Sequence, residues 1–245
     1  MTAETADRFE AERRQGRAIV EDDLEHVWGW SSAAGALRAQ RRAEFLIEAA
    51  RLAPGVRCLE LGCGTGEFTS RLLAAGCELV AVDVSEASAE RCRERVGGRA
   101  EVIVGNVETG EGLEGREFDA LVGVSVLHHV DLPATLASLV PKLRPGGRFA
   151  FAEPNLANPQ VWAVMNVPAV RRRAHALDHE RAFLPNRLRG ELEAVGLTVE
   201  VCEPFDFLHP ATPRRLIPLV RRVERVLEAT PARAIAGSIR VAGSR

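Results

Sequence analysis

The amino-acid sequence predicts an α/β fold: a Rossmann-like three-layer sandwich built around a mostly parallel sheet. From residue 56 onward, short apolar runs alternate with stretches of helical spacing. That alternation is typical of parallel strands joined by right-handed helical crossovers. The run at 120–124 is apolar throughout, as expected of a strand covered on both faces. A length of 245 residues suits one such domain with an elaboration.

The predicted elements follow one another in regular order. Seven segments have the composition of strands: Val56–Leu61, Glu78–Val82, Ala100–Val104, Phe118–Gly123, Arg148–Ala152, 197–203 and Ala236–Val241. Five segments have helical spacing: 67–75, 86–96, 132–143, 186–195 and 213–229. Gly196 is a plausible C-cap between a helix and the strand after it.

The first 50 residues differ from the rest of the chain. They are polar and then helical in pattern, and an irregular stretch carries Trp28 and Trp30. We expect residues 1–50 to form a helical segment that closes the functional site of a main domain at 51–245.

Residues 154–184 interrupt the alternation with three prolines and an arginine run. They are too long for a simple connection, so they predict a cap inserted over the site. Trp162, Met165 and Phe183 could make the inner surface of this cap apolar. The alternative is that they pack on the domain core, which needs such residues anyway.

A glycine loop follows the first strand and opens a helix. Gly62, Gly64 and Gly66 stand at alternate positions, where they allow a tight turn and a close approach to a ligand. The dinucleotide-binding pattern requires a small residue at position 67. This chain has Glu67 there, which disfavours a pyrophosphate.

Two acids flank the loop and suggest the ligand. Glu60 lies two residues before the first glycine and could meet a cationic amino group. Asp83 ends the second strand, where an acid can accept both hydroxyls of a ribose. A ligand with a ribose and an ammonium group but no phosphate has the make-up of S-adenosylmethionine.

At these residues the chain resembles the class I S-adenosylmethionine-dependent methyltransferases, in particular their type 11/25-like small-molecule group. The resemblance is strong over residues 55–153 and rests on five segments: 58–66, 81–85, 118–122, 126–129 and 143–147. It implies strand order 3-2-1-4-5-7-6 with an antiparallel last strand. It also implies methyl transfer by in-line displacement to a small molecule, with S-adenosyl-L-homocysteine as the product.

The resemblance also implies which residues hold S-adenosyl-L-methionine. Many relatives carry Asp where this chain has Asn106, whose carbonyl oxygen can still accept a hydrogen bond from the adenine amine. The implied cofactor-binding residues are Glu60, Gly62, Cys63, Gly64, Gly66, Asp83, Val84, Asn106, Val107 and Ser125.

Four histidines and one acid are candidates for chemistry. His129 has a side chain suited to proton transfer and Glu153 ends the fifth strand, so both are candidate catalytic residues. The alternatives are loop-shaping hydrogen bonds by His128 and His129, and a structural cap by Glu153. We expect His175 and His179 at the surface, with the lining of a lid as the alternative.

Composition narrows the remaining classes. Five scattered cysteines without ligand spacing predict reduced thiols and no metal site. A net charge of −2 gives no reason to expect nucleic acid. The N-terminus lacks the apolar core of a signal peptide and no 18-residue apolar stretch occurs, so we expect a cytoplasmic monomer or homodimer.

The segment at 213–229 predicts a basic amphipathic helix. Its apolar face carries Leu216, Leu219, Val220, Val223, Val226 and Leu227, and its other side carries Arg215, Arg221, Arg222 and Arg225. We expect the apolar face to pack on the body or on a second subunit, and contact with a membrane surface is the alternative.

Two other function classes stay open from the sequence. One is an NAD(P)-dependent oxidoreductase, which the glycine spacing and Glu67 disfavour. The other is a non-catalytic adenosyl-ligand-binding scaffold, because methyl transfer has no obligatory side-chain signature. The acceptor itself, whether apolar, lipid-like or a specialised metabolite, is not readable from the residues.

Overall fold

The computed structural model describes residues 3–21 and 29–245. The strands are β1 (Arg57–Leu61), β2 (Glu78–Asp83), β3 (Glu101–Val104), β4 (Phe118–Val124), β5 (Leu143–Pro154), β6 (Thr198–Phe205) and β7 (Ser238–Ser244). The helices are α1 (Ala3–Glu21), α2 (Ala33–Ala49), α3 (Glu67–Leu72), α4 (Glu86–Val96), α5 (Leu132–Leu139), α6 (Pro159–Asn166), α7 (Pro168–Arg173), α8 (Pro185–Glu193) and α9 (Ile217–Glu228).

The sheet has the predicted order, β3-β2-β1-β4-β5-β7-β6. The pairs among β1 to β5 are parallel, and β7 runs antiparallel between β5 and β6. The α/β fold class and strand order expected from the sequence are therefore confirmed.

One strand begins earlier than predicted. β5 starts at Leu143 rather than at Arg148, and a bulge opposite β4 accommodates the additional residues. Residues 143–147 stay in the sheet because they pair with the end of the chain. The amide of Gly146 donates to the carbonyl of Arg245 at 3.0 Å, and the amide of Arg245 donates to the carbonyl of Gly147 at 2.9 Å. The end of the chain thus extends the ladder across this turn.

The two faces of the sheet divide the side chains of β1. Leu59 and Leu61 join the apolar cluster under α5, whereas Cys58 joins the cluster that contains Leu46 of α2 and Leu72 of α3. Successive side chains of a strand point to opposite faces. Glu60 therefore shares the face of Cys58, beneath α3.

The strand order reverses beside β1, between β2 and β4. In open α/β sheets, the carboxyl ends of the strands at such a switch point form the ligand crevice. The loops after β1, β2 and β4 meet there.

Helix α1 packs closely over this crevice. A Cβ atom on Gly16 would lie 2.3 Å from the Oγ of Ser85 and 2.9 Å from that of Ser88, so only glycine allows this approach to α4. The guanidinium of Arg8 pairs with the buried Glu108. That residues 1–50 as a whole close the site stays a prediction, and Trp28 lies outside the described residues.

The cap segment contains α6 and α7, but its aromatic residues do not line it. Trp162 projects outward with 53% of its surface exposed, and Phe183 is buried in the domain core at 2%. The expected apolar inner surface is therefore wrong for Trp162, and the core-packing alternative holds for Phe183. Asn158 caps α6 and ties it to the carbonyl of Ile235 at 2.8 Å.

The amphipathic helix near the end of the chain forms as predicted, at α9, but only part of its apolar face packs on the body. Leu216, Leu219, Val223 and Val226 are between 42% and 62% exposed, whereas Val220 and Leu227 are half-buried and Val220 packs beside Ile217. The residues that α9 buries are Ile217 and Glu224. Among the described residues, no helix combines the length and apolar character needed to cross a bilayer.

Candidate active site

A cavity of about 380 Å³ occupies the crevice at the carboxyl ends of β1, β2 and β4. Its walls combine the glycine loop, the strand ends, one face of α1 and part of the cap. Eight of the residues predicted for a cofactor site line this cavity: Gly62, Cys63, Gly64, Asp83, Val84, Asn106, Val107 and Ser125. Trp30 and the candidate catalytic residue His129 line it as well.

The glycine loop depends on backbone angles that other residues adopt rarely. Gly62, Gly64 and Gly66 have φ values of 60°, 51° and 85°. A Cβ atom on Gly62 would lie 2.6 Å from the side chain of Val126, whereas one on Gly64 would meet nothing within 4 Å. Gly64 therefore leaves room on the cavity side.

Asp83 connects the loop to the end of β2. Its two carboxylate oxygens accept from the amide of Gly64 at 2.8 Å and from the amide of Ser85 at 2.9 Å. Burial raises the pKa of Asp83, and the two amides only partly offset this. Each oxygen keeps a second lone pair, so the carboxylate can still accept hydrogen bonds from the cavity.

The opposite wall is formed by the residues that follow β3 and β4. The carbonyl oxygen of Asn106 accepts from the amide of Glu108 at 2.9 Å, which commits one lone pair of that oxygen to a local turn. Val107 adds an apolar surface that is 8% exposed. Ser125 has a φ of 53°, a costly conformation for a residue with a side chain, at the point where β4 leaves the sheet.

Three predicted site residues do not line the cavity. Glu60 is 3% exposed and lies beneath the loop, where burial raises its pKa to about 8 and a hydrogen bond from Thr69 partly offsets the rise. Gly66 packs against Cys92. The alternation of β1 places the side chain of Glu60 outside the cavity lining, and its Oε2 has no hydrogen-bond partner among the described residues, so the contact of Glu60 with an ammonium group stays a prediction.

Glu153, the third, is 1% exposed and supports the loop after β4. One oxygen accepts from the amides of Val126 and Leu127 at 3.0 and 2.9 Å, and the other pairs with Nδ1 of His128 at 2.9 Å. In this arrangement Glu153 positions His128 and does not reach the cavity. The structural alternative to a catalytic Glu153 is therefore the one that the geometry supports.

Sequence reasoning missed an acid that does face the cavity, Glu12 of α1. Its Oε1 lies 3.1 Å from Nδ1 of His129 and 2.6 Å from Nε2 of His179. Burial raises the pKa of Glu12, but the two histidines outweigh this and bring the pKa down to about 2. His175 is exposed, as expected, and also borders the cavity, whereas His179 is half-buried against Glu12 instead of lying free at the surface.

The same contacts determine the charge of His129. Burial lowers its pKa, but the hydrogen bond and charge of Glu12, together with the charges of Glu180 and Glu153, raise it to about 9. At neutral pH His129 is therefore an imidazolium that is paired with α1. In that state it can donate a hydrogen bond but cannot accept a proton.

Among the described residues, His128, His129 and Glu180 form a group whose ligand atoms lie within 4.8 Å of one another. Such a group could in principle hold a metal ion. In this structure each histidine already uses Nδ1 for a carboxylate, and Glu180 accepts from the amide of Leu177 at 2.8 Å. The expectation that no metal is bound stays a prediction.

A second cavity of about 450 Å³ adjoins the first between α1 and α7. The two share Gln15, Ile19, Ala174, His175 and Ala176 as lining residues. The second cavity also presents Arg14 and Arg172, neither of which has an acidic partner among the described residues. The lining of the second cavity thus combines apolar side chains, Ile19 and Leu177 among them, with two arginines.

A family model described as a methyltransferase domain matches residues 59–149, the part of the chain that carries the glycine loop, Asp83 and the loop after β4. Over these residues the chain is similar to the class I S-adenosylmethionine-dependent methyltransferases. The sequence resemblance to this family is therefore confirmed.

Curated relatives of this methyltransferase family are distant in sequence. Nodulation protein S of Rhizobium tropici is 27% identical over 139 residues, which cover 54% of this chain and 58% of that protein. The mitochondrial ubiquinone biosynthesis O-methyltransferase of Schizosaccharomyces pombe is 31% identical over 137 residues, which cover 51% and 49%. The chain thus matches about half the length of these relatives.

Solved structures match over nearly the whole chain. The N-methyltransferase NodS from Bradyrhizobium japonicum WM9, in complex with S-adenosyl-L-homocysteine, has a TM-score of 0.63 at 15% identity and covers 97% of this chain and 98% of its own. The [4+2]-cyclase SpnF has a TM-score of 0.65 at 17% identity and covers 96% of each chain. Likeness at this identity establishes the fold alone.

Proposed function

We propose that the chain binds S-adenosyl-L-methionine in the 380 Å³ cavity and transfers its methyl group to a small-molecule acceptor. The observation that carries this proposal is Asp83, which fastens the glycine loop and keeps acceptor capacity toward the cavity. Such a carboxylate suits a ribose diol. The open space at Gly64 and the apolar side chains of Val84 and Val107 suit the rest of an adenosyl ligand.

S-adenosyl-L-methionine supplies an activated methyl carbon on a sulfonium, so the protein mainly has to align the acceptor and exclude water. Several features of the structure support these two tasks of the protein, alignment of the acceptor and exclusion of water. Helix α1 covers the cavity, and Trp30 and Phe68 close it with an edge-to-face pair at 5.4 Å.

His129 fits a different role from the general base expected of it. Its pKa of about 9 keeps it protonated while Glu12 is docked. We propose that His129 holds α1 over the cavity and donates hydrogen bonds. A nucleophile that needs no early loss of a proton, or one that is already anionic, suits this site best.

We further propose that the acceptor enters through the second cavity and is anionic. Arg14 and Arg172 stand on opposite sides of its mouth, on α1 and α7. Guanidinium groups recognise carboxylates and phosphates through paired hydrogen bonds. The apolar floor, formed by Ile19 and Leu177 among others, suits a hydrocarbon or aromatic part between the acidic group and the methylated atom.

Calorimetric titration with S-adenosyl-L-methionine, S-adenosyl-L-homocysteine and NAD tests the cofactor. We expect binding of the first two only, because Glu67 lines the cavity where a pyrophosphate would lie. Binding of NAD alone would overturn the proposal in favour of an oxidoreductase.

Release of S-adenosyl-L-homocysteine in the presence of acceptors tests the reaction. We would compare phenolic and amino carboxylic acids with their methyl esters, in wild type and in an R14Q/R172Q variant. Turnover of acids over esters, lost in the variant, supports the anionic acceptor. Cofactor binding without turnover of any acceptor would favour a non-methylating protein, as the likeness to a [4+2]-cyclase illustrates.

A further inference from the structure

The outward face of α9 is an unusual surface for a packed helix. Leu216, Leu219, Val223 and Val226 recur at intervals of three and four residues and are 42%, 60%, 47% and 62% exposed. We call these four residues the apolar stripe. Single exposed aliphatic residues are ordinary, but an exposed row along three turns of one helix marks an interaction surface.

The orientation of α9 is fixed from its inner side. Glu224 is 1% exposed and accepts from the amide of Phe207 at 2.7 Å and from Arg41 at 3.2 Å. Ile217 packs with Ala34 and Leu208. Rotating α9 to bury the stripe would leave the buried carboxylate of Glu224 without its partners, which is strongly destabilising.

Arginines accompany the stripe. Arg214, Arg215, Arg222 and Arg225 are exposed, and none has an acidic partner among the described residues. At 3.6 residues per turn, Arg222 and Arg225 fall on one side of the stripe. We call these four residues the arginine flank. Arg221 differs, because it pairs with the buried Glu224 at 2.6 Å.

We propose that the apolar stripe and the arginine flank dock on the surface of an anionic lipid bilayer. An apolar face bordered by cations is the arrangement by which helices lie in the membrane interface, with aliphatic side chains at the acyl boundary and guanidinium groups among the phosphates. A second copy of the chain fits less well, because pairing two stripes brings two arginine flanks together. The proposal is independent of the proposed function.

Sedimentation with lipid vesicles tests this docking. Full-length protein would be mixed with vesicles of phosphatidylcholine alone or with added phosphatidylglycerol, at low and high salt. We expect binding only to the anionic vesicles, and weaker binding at high salt because surface charges are screened. The R222Q/R225Q variant should bind about 25-fold more weakly, about fivefold for each arginine.

Two further variants separate the apolar and charged contributions. L219Q/V226Q should reduce binding by roughly tenfold or more through loss of apolar contact. The controls V104Q/V195Q and R91Q/R187Q remove matched side chains that are exposed elsewhere, and should leave binding unchanged. Thermal unfolding would verify that each variant is folded.

Three outcomes would overturn the proposal. The first is no binding of wild type to anionic vesicles. The second is equal loss of binding in test and control variants. The third is self-association in analytical ultracentrifugation that L219Q/V226Q abolishes, which would make the stripe a dimer interface.

Discussion

The pairing of α1 with the cavity wall can be tested by a Glu12→Gln substitution. Nδ1 of His129 lies 3.1 Å from Glu12, and the pKa of His129 is raised from 6.5 to about 9. Glutamine keeps the shape and removes the charge, so we expect this pKa to fall toward or below 6.5. A shift of about 2.5 units corresponds to about 3 kcal/mol.

The shift in the pKa of Glu12 from 4.5 to about 2 includes the same pair together with the contact to His179, and that of His129 includes the charges of Glu180 and Glu153. Because the two shifts share the Glu12–His129 pair, they are not added. The raised pKa of His129 stabilises the fold fully below pH 6.5, and this contribution is lost as the pH rises through 9. The lowered pKa of Glu12 contributes above pH 4.5 and is lost as the pH falls through 2.

The assay is NMR titration of the histidine ring protons, assigned with a His129→Asn variant, combined with urea unfolding at pH 6 and pH 10. The E12Q variant should lose about 2 to 3 kcal/mol of the free energy of unfolding at pH 6 and almost none at pH 10. A Glu10→Gln control, which removes only an exposed pair with Arg17, should change stability by less than about 0.5 kcal/mol. Titration of His129 near pH 6.5 in the wild type, or an equal loss at both pH values, would refute the reasoning.

Three further substitutions test the cavity and the fold. Asp83→Asn should raise the Kd for S-adenosyl-L-homocysteine roughly tenfold to a hundredfold in calorimetry, because the substitution weakens hydrogen bonds that are made to a charged carboxylate. An unchanged Kd would contradict the role assigned to Asp83. Gly16→Val should undock α1, because the new Cβ atom would lie 2.3 Å from Oγ of Ser85. We expect faster cofactor dissociation in stopped-flow measurements. An unaltered dissociation rate would show that α1 does not limit release of the cofactor. Arg42→Met should cost about 3 kcal/mol of unfolding free energy by leaving the 3% exposed Asp206 with one arginine fewer, and a urea-derived loss below about 1 kcal/mol would contradict this.

Much of the sheet could be predicted from the sequence because its central strands are covered on both faces and consist mostly of apolar residues. Strand β4 is an example, with six of its seven residues buried. The glycine loop was also readable, since alternate glycines between a strand and a helix satisfy a backbone requirement that sequence shows directly. The early start of β5 was not readable, because it depends on pairing with Arg245, a hundred residues away.

Side-chain direction was harder to predict than position in the fold. Glu60 and Glu153 both occur where strands reach the crevice, yet both side chains point away from the cavity. Proximity in sequence places a residue at the edge of the sheet, but the strand alternation decides which face it takes. Glu153 instead holds the loop after β4, and Glu60 accepts a hydrogen bond from Thr69 of α3.

Helix α1 shows why the individual residues of this wall were not recognised, although residues 1–50 were expected to close the site. Phe9, Glu12, Gly16 and Ile19 all line the cavity at helical spacing. An apolar stripe would have been visible, but this one contains an acid and a glycine, which read as solvent-facing residues. The acid is there to pair with His129, and the glycine to approach α4; both reasons exist only in three dimensions.

Helix α1 also couples ligand binding and release in the two cavities. Ile19 borders both spaces, and Gln15 donates to the carbonyl of His175 at 2.8 Å, so the helix joins the loop beside β2 to the cap. S-adenosyl-L-homocysteine and the methylated product would then dissociate past the same helix, and each would obstruct the other. We therefore expect sequential steady-state kinetics in which each product slows the dissociation of the other. We do not expect a double-displacement pattern, in which one product leaves before the second substrate binds.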